Sequence, residues 1–205
     1  MEKIKYSQIR PRLKTFDVLC CIPPGLFMGW IQHTVGVYVC AETGQISAYQ
    51  STTQKYAGKS GVSLTPMAEF VDRYIRAGGR ILLRKCTIKG SGRRGRAQQD
   101  AAKHIKMHRG KPYPDLKTRA GRWYVVNARI DIPFWRKNPW VNQDRTDIFF
   151  CAHLIANEFR FCQLTKGKIN AAEVDTRDLR AGGSFEDVLG DGVSLDYNEI
   201  QIIRG

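Results

Sequence analysis

Residues 148–162, IFFCAHLIANEFRFC, limit what this chain folds into more than any other stretch. Cys151, Leu154, Ile155, Glu158, Phe159 and Cys162 recur at spacings of three and four, so they line one face of an α-helix. Thr146 or Asp147 is placed to cap its start. The segments before it are mostly short strand-like runs. TFDVLCCI (15–22) is apolar and stops at Pro23-Pro24-Gly25, and TVGVYVCA (34–41) is rich in β-branched and aromatic residues. Glu42-Thr43-Gly44-Gln45 reads as a hairpin turn, returning through ISAYQS (46–51) as an antiparallel partner. Thr65-Pro66 opens a helix that runs to about Arg76 and ends at Gly78-Gly79, with Thr65 as its cap and proline at the first position. RILLRKCTI (80–88) reads as one strand, KGSGRRGR (89–96) as a flexible basic loop, and 97–109 as a helix closed by Gly110. A last strand is expected near Glu199–Ile203. These elements describe a single α+β domain over residues 1–205, a mostly antiparallel sheet carrying a few helices.

Between about 117 and 147 the pattern loses its period. Trp123, Trp135 and Trp140 fall there among prolines and arginines, and we read one strand near 122–132 plus a long ordered loop. Such aromatic loops bind ligands or cover a core, and the residues alone leave both open.

The net charge of +14 is unevenly spread. Residues 80–122 hold fourteen Lys/Arg against two Asp/Glu, while 173–199 hold eight acids against two bases. The basic segment favours an anionic partner, namely nucleic acid, an acidic wall polymer or an acidic protein, and Arg93, Arg94, Arg96, Lys103 and Lys106 are its candidate anion-binding residues. A solvated basic surface is the equal alternative. The six cysteines form no C-x-x-C pair, so neither a zinc site nor a disulfide framework is expected, and no cofactor is called for. His104 and His108, four residues apart, read as a solvated helix face rather than a metal pair. No apolar run reaches membrane-spanning length, and the polar opening MEKIKYSQIRPRLK has no signal-peptide core. The expected location is the cytoplasm of the producing cell, or a virion.

Chemistry centres on Cys151, in the first turn of its helix, where free N–H groups and the helix dipole favour a thiolate. It also shares a face with Leu154, Ile155 and Phe159, as an inert core cysteine would. The order of the surrounding motifs resembles the permuted NlpC/P60 papain-like hydrolases of the YiiX/YaeF kind. Phe16-Asp17-Val18-Leu19 is similar to that family's Gly-Asp-Ile-Leu strand, and His33-Thr34-Val35-Gly36-Val37-Tyr38 to its His-Val-Gly-Ile-Tyr strand. Ala48-Tyr49-Gln50-Ser51 stands where the family has an aromatic–Glu pair. Gly61-Val62 through Pro66-Met67 matches its helix entry, and Leu82-Leu83-Arg84 its strand ending in arginine. Arg109-Gly110-Lys111-Pro112-Tyr113 resembles its Gly-Lys-Pro-Tyr-Asp turn, Phe149-Phe150-Cys151-Ala152-His153-Leu154-Ile155 its Cys-Ser-Glu-Leu-Val helix, and Asn170-Ala171-Ala172-Glu173 its final turn.

The resemblance implies a circularly permuted papain-like core and a cysteine amidohydrolase or endopeptidase acting on peptidoglycan peptide. Cys151 would be the nucleophile, His33 the base and Gln50 the residue that orients the ring. Two departures stand out. Counting two back from Gly36 gives Thr34, so His33 is one residue off, and regular alternation aims it at the opposite face unless a bulge redirects it. The acidic third residue is an amide, Gln50. His153 lies two residues from Cys151, about 200° around the helix, and points away. The alternative is a catalytically eroded structural or binding component of a phage or viral particle, contacting neighbouring subunits or non-specific nucleic acid.

Overall fold

The computed structural model describes residues 1–24, 33–53, 60–115, 117–121, 145–167 and 169–205. The strand expected near 122–132 and the tryptophans of the 117–147 segment lie outside the described residues.

The chain runs β1 (Lys3–Lys5), α1 (Tyr6–Ile9), β2 (Val18–Ile22), β3 (His33–Val39), β4 (Ile46–Thr52), β5 (Gly61–Pro66), α2 (Met67–Arg76), β6 (Arg80–Arg84) and β7 (Cys86–Ile88). It continues through α3 (Ser91–His108), α4 (Cys151–Phe161), β8 (Val193–Leu195) and β9 (Ile200–Ile203). Among the described residues seven strands form one sheet in the order β1-β9-β6-β2-β3-β4-β5, antiparallel except for the β1–β9 pair, and β7 and β8 form a separate ribbon. The result is a mixed α+β fold.

Why the strands read as nearly continuous apolar runs follows from the layers. Both faces of the sheet are buried, so alternate residues enter different cores. Leu19, Cys21, Val35, Val37, Ala48, Ile81 and Leu83 pack on one side with Met67, Phe70, Val71 and Tyr74 of α2. Those four helix positions repeat at three- and four-residue spacing. Val18, Cys20, Tyr49 and Leu82 face the other side, where Leu154, Ile155 and Phe159 of α4 lie with the 171–195 segment. The adjacent Cys20 and Cys21 thus belong to opposite cores, and burial pushes the Cys20 thiol up to about 12 and Cys21 well above its usual value. They are packing residues.

Several sequence expectations need correction. Thr65 does not cap α2; it sits in β5, and Pro66 is the residue before the helix. Residues 80–88 form two strands in two different sheets. The basic stretch is not a loop beyond Gly90: α3 begins at Ser91 and absorbs Arg93, Arg94 and Arg96. Glycines at 92 and 95 disfavour a helix by roughly 1 kcal/mol each, but tertiary bonds hold this end. The Arg93 guanidinium donates to the carbonyls of Asp191 and Gln163, and Arg94 donates to the Cys86 carbonyl at 3.1 Å.

His104 and His108 are not solvated either. They are 0% and 3% exposed, on the face of α3 that meets α4. Tyr49 Oη donates to His104 Nδ1 at 3.2 Å, and His104 Nε2 donates to Asn157 Oδ1 at 2.7 Å. Burial lowers the two imidazoles to about 3 and about 4, so both are neutral. Among the described residues no helix is long and apolar enough to cross a membrane.

Candidate active site

The site forms where the sheet opens. β3 and β4 are paired from Val39↔Ile46 to Gly36↔Tyr49, and there the ladder stops. Beyond that point His33–Val35 pair only with β2, and Gln50–Thr52 only with β5. The Val37 N–H points at β2, donating to Asp17 O at 2.8 Å. By alternation the Thr34 N–H points the other way, into the gap that β4 has left. The segment Phe149–Cys151 fills that gap. Ser51 Oγ, on the β4 side, donates to the Phe149 carbonyl at 2.6 Å. The Thr34 N–H, on the β3 side, acts on the Cys151 sulfur and lowers its pKa.

The approach to α4 is fixed from a third side. The Gly110-Lys111-Pro112 turn clamps the β5 edge, with Gly110 N–H on the Val62 carbonyl at 2.9 Å and Val62 N–H on the Lys111 carbonyl at 2.8 Å. The Pro112 carbonyl then accepts from the Phe149 N–H at 3.2 Å. Gly61 has φ +100°, and a Cβ there would lie 2.3 Å from the Lys111 carbonyl oxygen, so no other residue fits this clamp. The helix starts at Cys151, three residues later than its apolar pattern suggests. Phe150 is its cap residue and supplies no side-chain bond, while Asp147 pairs with Arg145 instead of capping.

Cys151 is 4% exposed and His33 is half-buried, and each acts on the other: the imidazole lowers the thiol and the thiol raises the imidazole. His33 Nε2 donates to Gln50 Oε1 at 2.8 Å, which leaves Nδ1 for the sulfur. Gln50 is fully buried, and its own Nε2 donates to Thr65 Oγ1 at 3.1 Å, so the amide is held with its oxygen toward the imidazole. Strand parity does put His33 with Val35 and Val37, as its position in the sequence requires. No bulge is needed to bring it to Cys151, because no strand stands between them once β3 and β4 part.

Electrostatics follow from these bonds. Burial pushes the Cys151 thiol up, but His33, the Thr34 N–H and the Thr176 hydroxyl together bring it down to about 7. For His33 burial works against the charged form, and the bonds to Cys151 and Gln50 outweigh it, raising the imidazole above its ordinary value. Each group stabilises the other's ionised form. When ionised, a thiol lowered in this way beside an imidazole is chemically competent to attack a carbonyl carbon.

His153 stays apart, buried between the rings of Phe149 and Phe150. Of the basic candidates, Arg93 and Arg94 are turned onto carbonyls of their own chain, while Arg96, Lys103 and Lys106 are exposed, Lys103 pairing with Asp100 at 2.8 Å. Sequence reasoning missed Thr34, Ser51, Thr65 and Thr176. All four are small β-strand or loop residues with no motif of their own, and only the place where the ladder ends gives them a role. Among the described residues, no group of three or more His, Cys, Asp or Glu stands close enough to hold a metal ion. No protein-family model matches the sequence, and no curated protein is significantly similar to it.

Proposed function

We propose that this chain is a cysteine amidohydrolase on a circularly permuted, NlpC/P60-type papain-like fold, cleaving an amide bond in a cell-wall peptide. The observation that carries the reading is Cys151 at the start of a helix, its thiol lowered by His33, with the His33 ring held by Gln50 at 2.8 Å. The eroded-scaffold alternative depended on His33 facing away from the sulfur, and the influence of His33 on the Cys151 thiol favours the enzyme instead. The substrate class rests on the motif resemblance.

In this mechanism Cys151 Sγ attacks the carbonyl carbon, and the C=O electron pair moves onto oxygen. The N–H of Cys151, in an uncapped helix start, helps hold that oxyanion. His33 gives its proton to the leaving amine as the C–N bond breaks, leaving a thioester. It then takes a proton from water, which displaces the sulfur and releases the acid. Gln50 keeps the ring aligned and Nε2 protonated throughout. Arg96, Lys103 and Lys106 on α3 offer an acidic wall polymer a surface attraction that weakens with salt. A chain of this kind would act from the producing cell's cytoplasm or from a virion.

The test is release of new amino groups from purified peptidoglycan. The intact protein should release them, and Cys151→Ala should fall to background. Equal release by both, or none by either under varied pH and salt, rejects the reading.

A further inference from the structure

We infer that the Thr176 hydroxyl is a second side-chain donor to the Cys151 sulfur, beside His33, and that the 175–178 turn is built to hold it there. This deepens the cysteine-nucleophile reading and rests on it.

Thr176 Oγ1 lies 3.9 Å from Cys151 Sγ, within reach of a hydrogen bond to sulfur, and the residue is 6% exposed. What sets it apart from a chance neighbour is the turn that carries it. Asp175 is buried, and its Oδ1 accepts from the N–H groups of Arg177 at 2.6 Å and Asp178 at 3.2 Å. In return, the Asp175 N–H donates to Asp178 Oδ2 at 2.8 Å, and Ser184 Oγ donates to Asp178 Oδ1 at 2.7 Å. Two aspartates thus lock the backbone on both sides of Thr176.

The flanks are fixed as well. Ala171 and Ala172, in a 3-10 turn packed on α4, are fully buried. The Leu179 carbonyl accepts from Arg84 Nη1 at 2.8 Å and from Cys20 Sγ at 3.7 Å, tying the turn to β6 and β2. Threonine is branched at Cβ and stiff about χ1, so a fixed backbone fixes its hydroxyl.

The sulfur accordingly meets groups from two parts of the chain: the His33 ring and Thr34 N–H at the start of β3, and the Thr176 hydroxyl. A buried thiolate needs such donors, since each compensates for lost water. Thr176 touches the reacting atom and is placed to stabilise its anionic form before attack.

The test is a titration of thiolate ultraviolet absorbance, each protein being read against its Cys151→Ser counterpart so that only Cys151 contributes. Thr176→Val should raise the Cys151 pKa by about one unit, a roughly tenfold loss of thiolate below that pKa. Thr176→Ser, which keeps the hydroxyl, should titrate close to the parent. Should Thr176→Val fail to fold by circular dichroism, Thr176→Ala gives the same comparison. A hydroxyl-free variant that titrates with the parent overturns the inference, as does a Ser variant shifted as far as Val. His33→Ala in the same series separates the two claims: an unshifted His33→Ala curve sinks the Cys151–His33 pair, while the Thr176 comparison is still decided by its own curves.

Discussion

Glu158 and His104 answer the same burial in opposite ways. His104 gives up its charge cheaply and finds neutral partners in Tyr49 and Asn157. Glu158, 1% exposed, has Oε1 without a hydrogen bond among the described residues, and burial raises its carboxyl to about 8. The folded state therefore holds a proton at neutral pH that the unfolded chain, titrating near 4.5, has released. The sign follows: stability is fullest below the unfolded value, falls as pH rises toward about 8, and levels off above it. Urea unfolding across that range should show this slope, worth on the order of a few kcal/mol at about 1.4 kcal/mol per unit, and Glu158→Gln should flatten it. Matching slopes in both proteins would assign the pH dependence elsewhere. Phe16 shows a different residue-scale tension. It has φ +77°, a left-handed conformation that glycine adopts without strain, in the motif position where the resembled family carries glycine. Burial against the Phe159 ring, 5.7 Å away and edge-on, helps hold it there.

At the scale of elements, α4 lies on β3 because Gly36 lets it approach. A Cβ at that position would lie 3.0 Å from Ile155 Cδ1 and 3.2 Å from Glu158 Oε2. Gly36→Ala should therefore cost about 1–3 kcal/mol through overpacking. By pushing α4 outward, it should also lower the proposed amide cleavage more than Ala substitutions on the exposed face of α3 do. Thermal unfolding alongside the peptidoglycan assay checks both, and an unchanged melting temperature would mean that the helix has room to move. Much of this scale was legible in the sequence. Strands 2 to 4, the hairpin, α2 and the late helix come straight from periodicity and turn residues, because those signals are written within each segment. The misreadings share one cause. The start of α3, the split of 80–88 and the burial of His104 and His108 are decided by bonds to residues far along the chain, such as Arg93 on Asp191, the pairing of Cys86–Ile88 with Val193–Leu195, and His104 on Asn157. No local window contains that information.

For the whole molecule, the candidate site depends on joining segments from opposite ends of the chain. Arg84, fully buried, donates to the carbonyls of Leu179, Leu195 and Asp196 and pairs with Glu186, so one side chain of β6 anchors the C-terminal segment that carries Thr176. The three candidate site residues Cys151, His33 and Gln50 could be proposed from motif order alone. Their relative placement could not. Counting residues along β3 puts His33 on the wrong face, and that count is correct as far as it goes. What it omits is that the β3–β4 ladder ends at Gly36↔Tyr49 and admits the start of α4 between the strands. The central claim is that His33 and Cys151 form one ionising pair across this opening. Its most direct measurement is the pH dependence of Cys151 alkylation, followed on the Cys151 peptide by mass spectrometry, in the intact protein and in His33→Ala. The account predicts a parent titrating near 7 and a His33→Ala variant displaced toward the ordinary thiol value of 9 or above. A parent that already titrates with an ordinary thiol, or a variant that titrates with the parent, would contradict it.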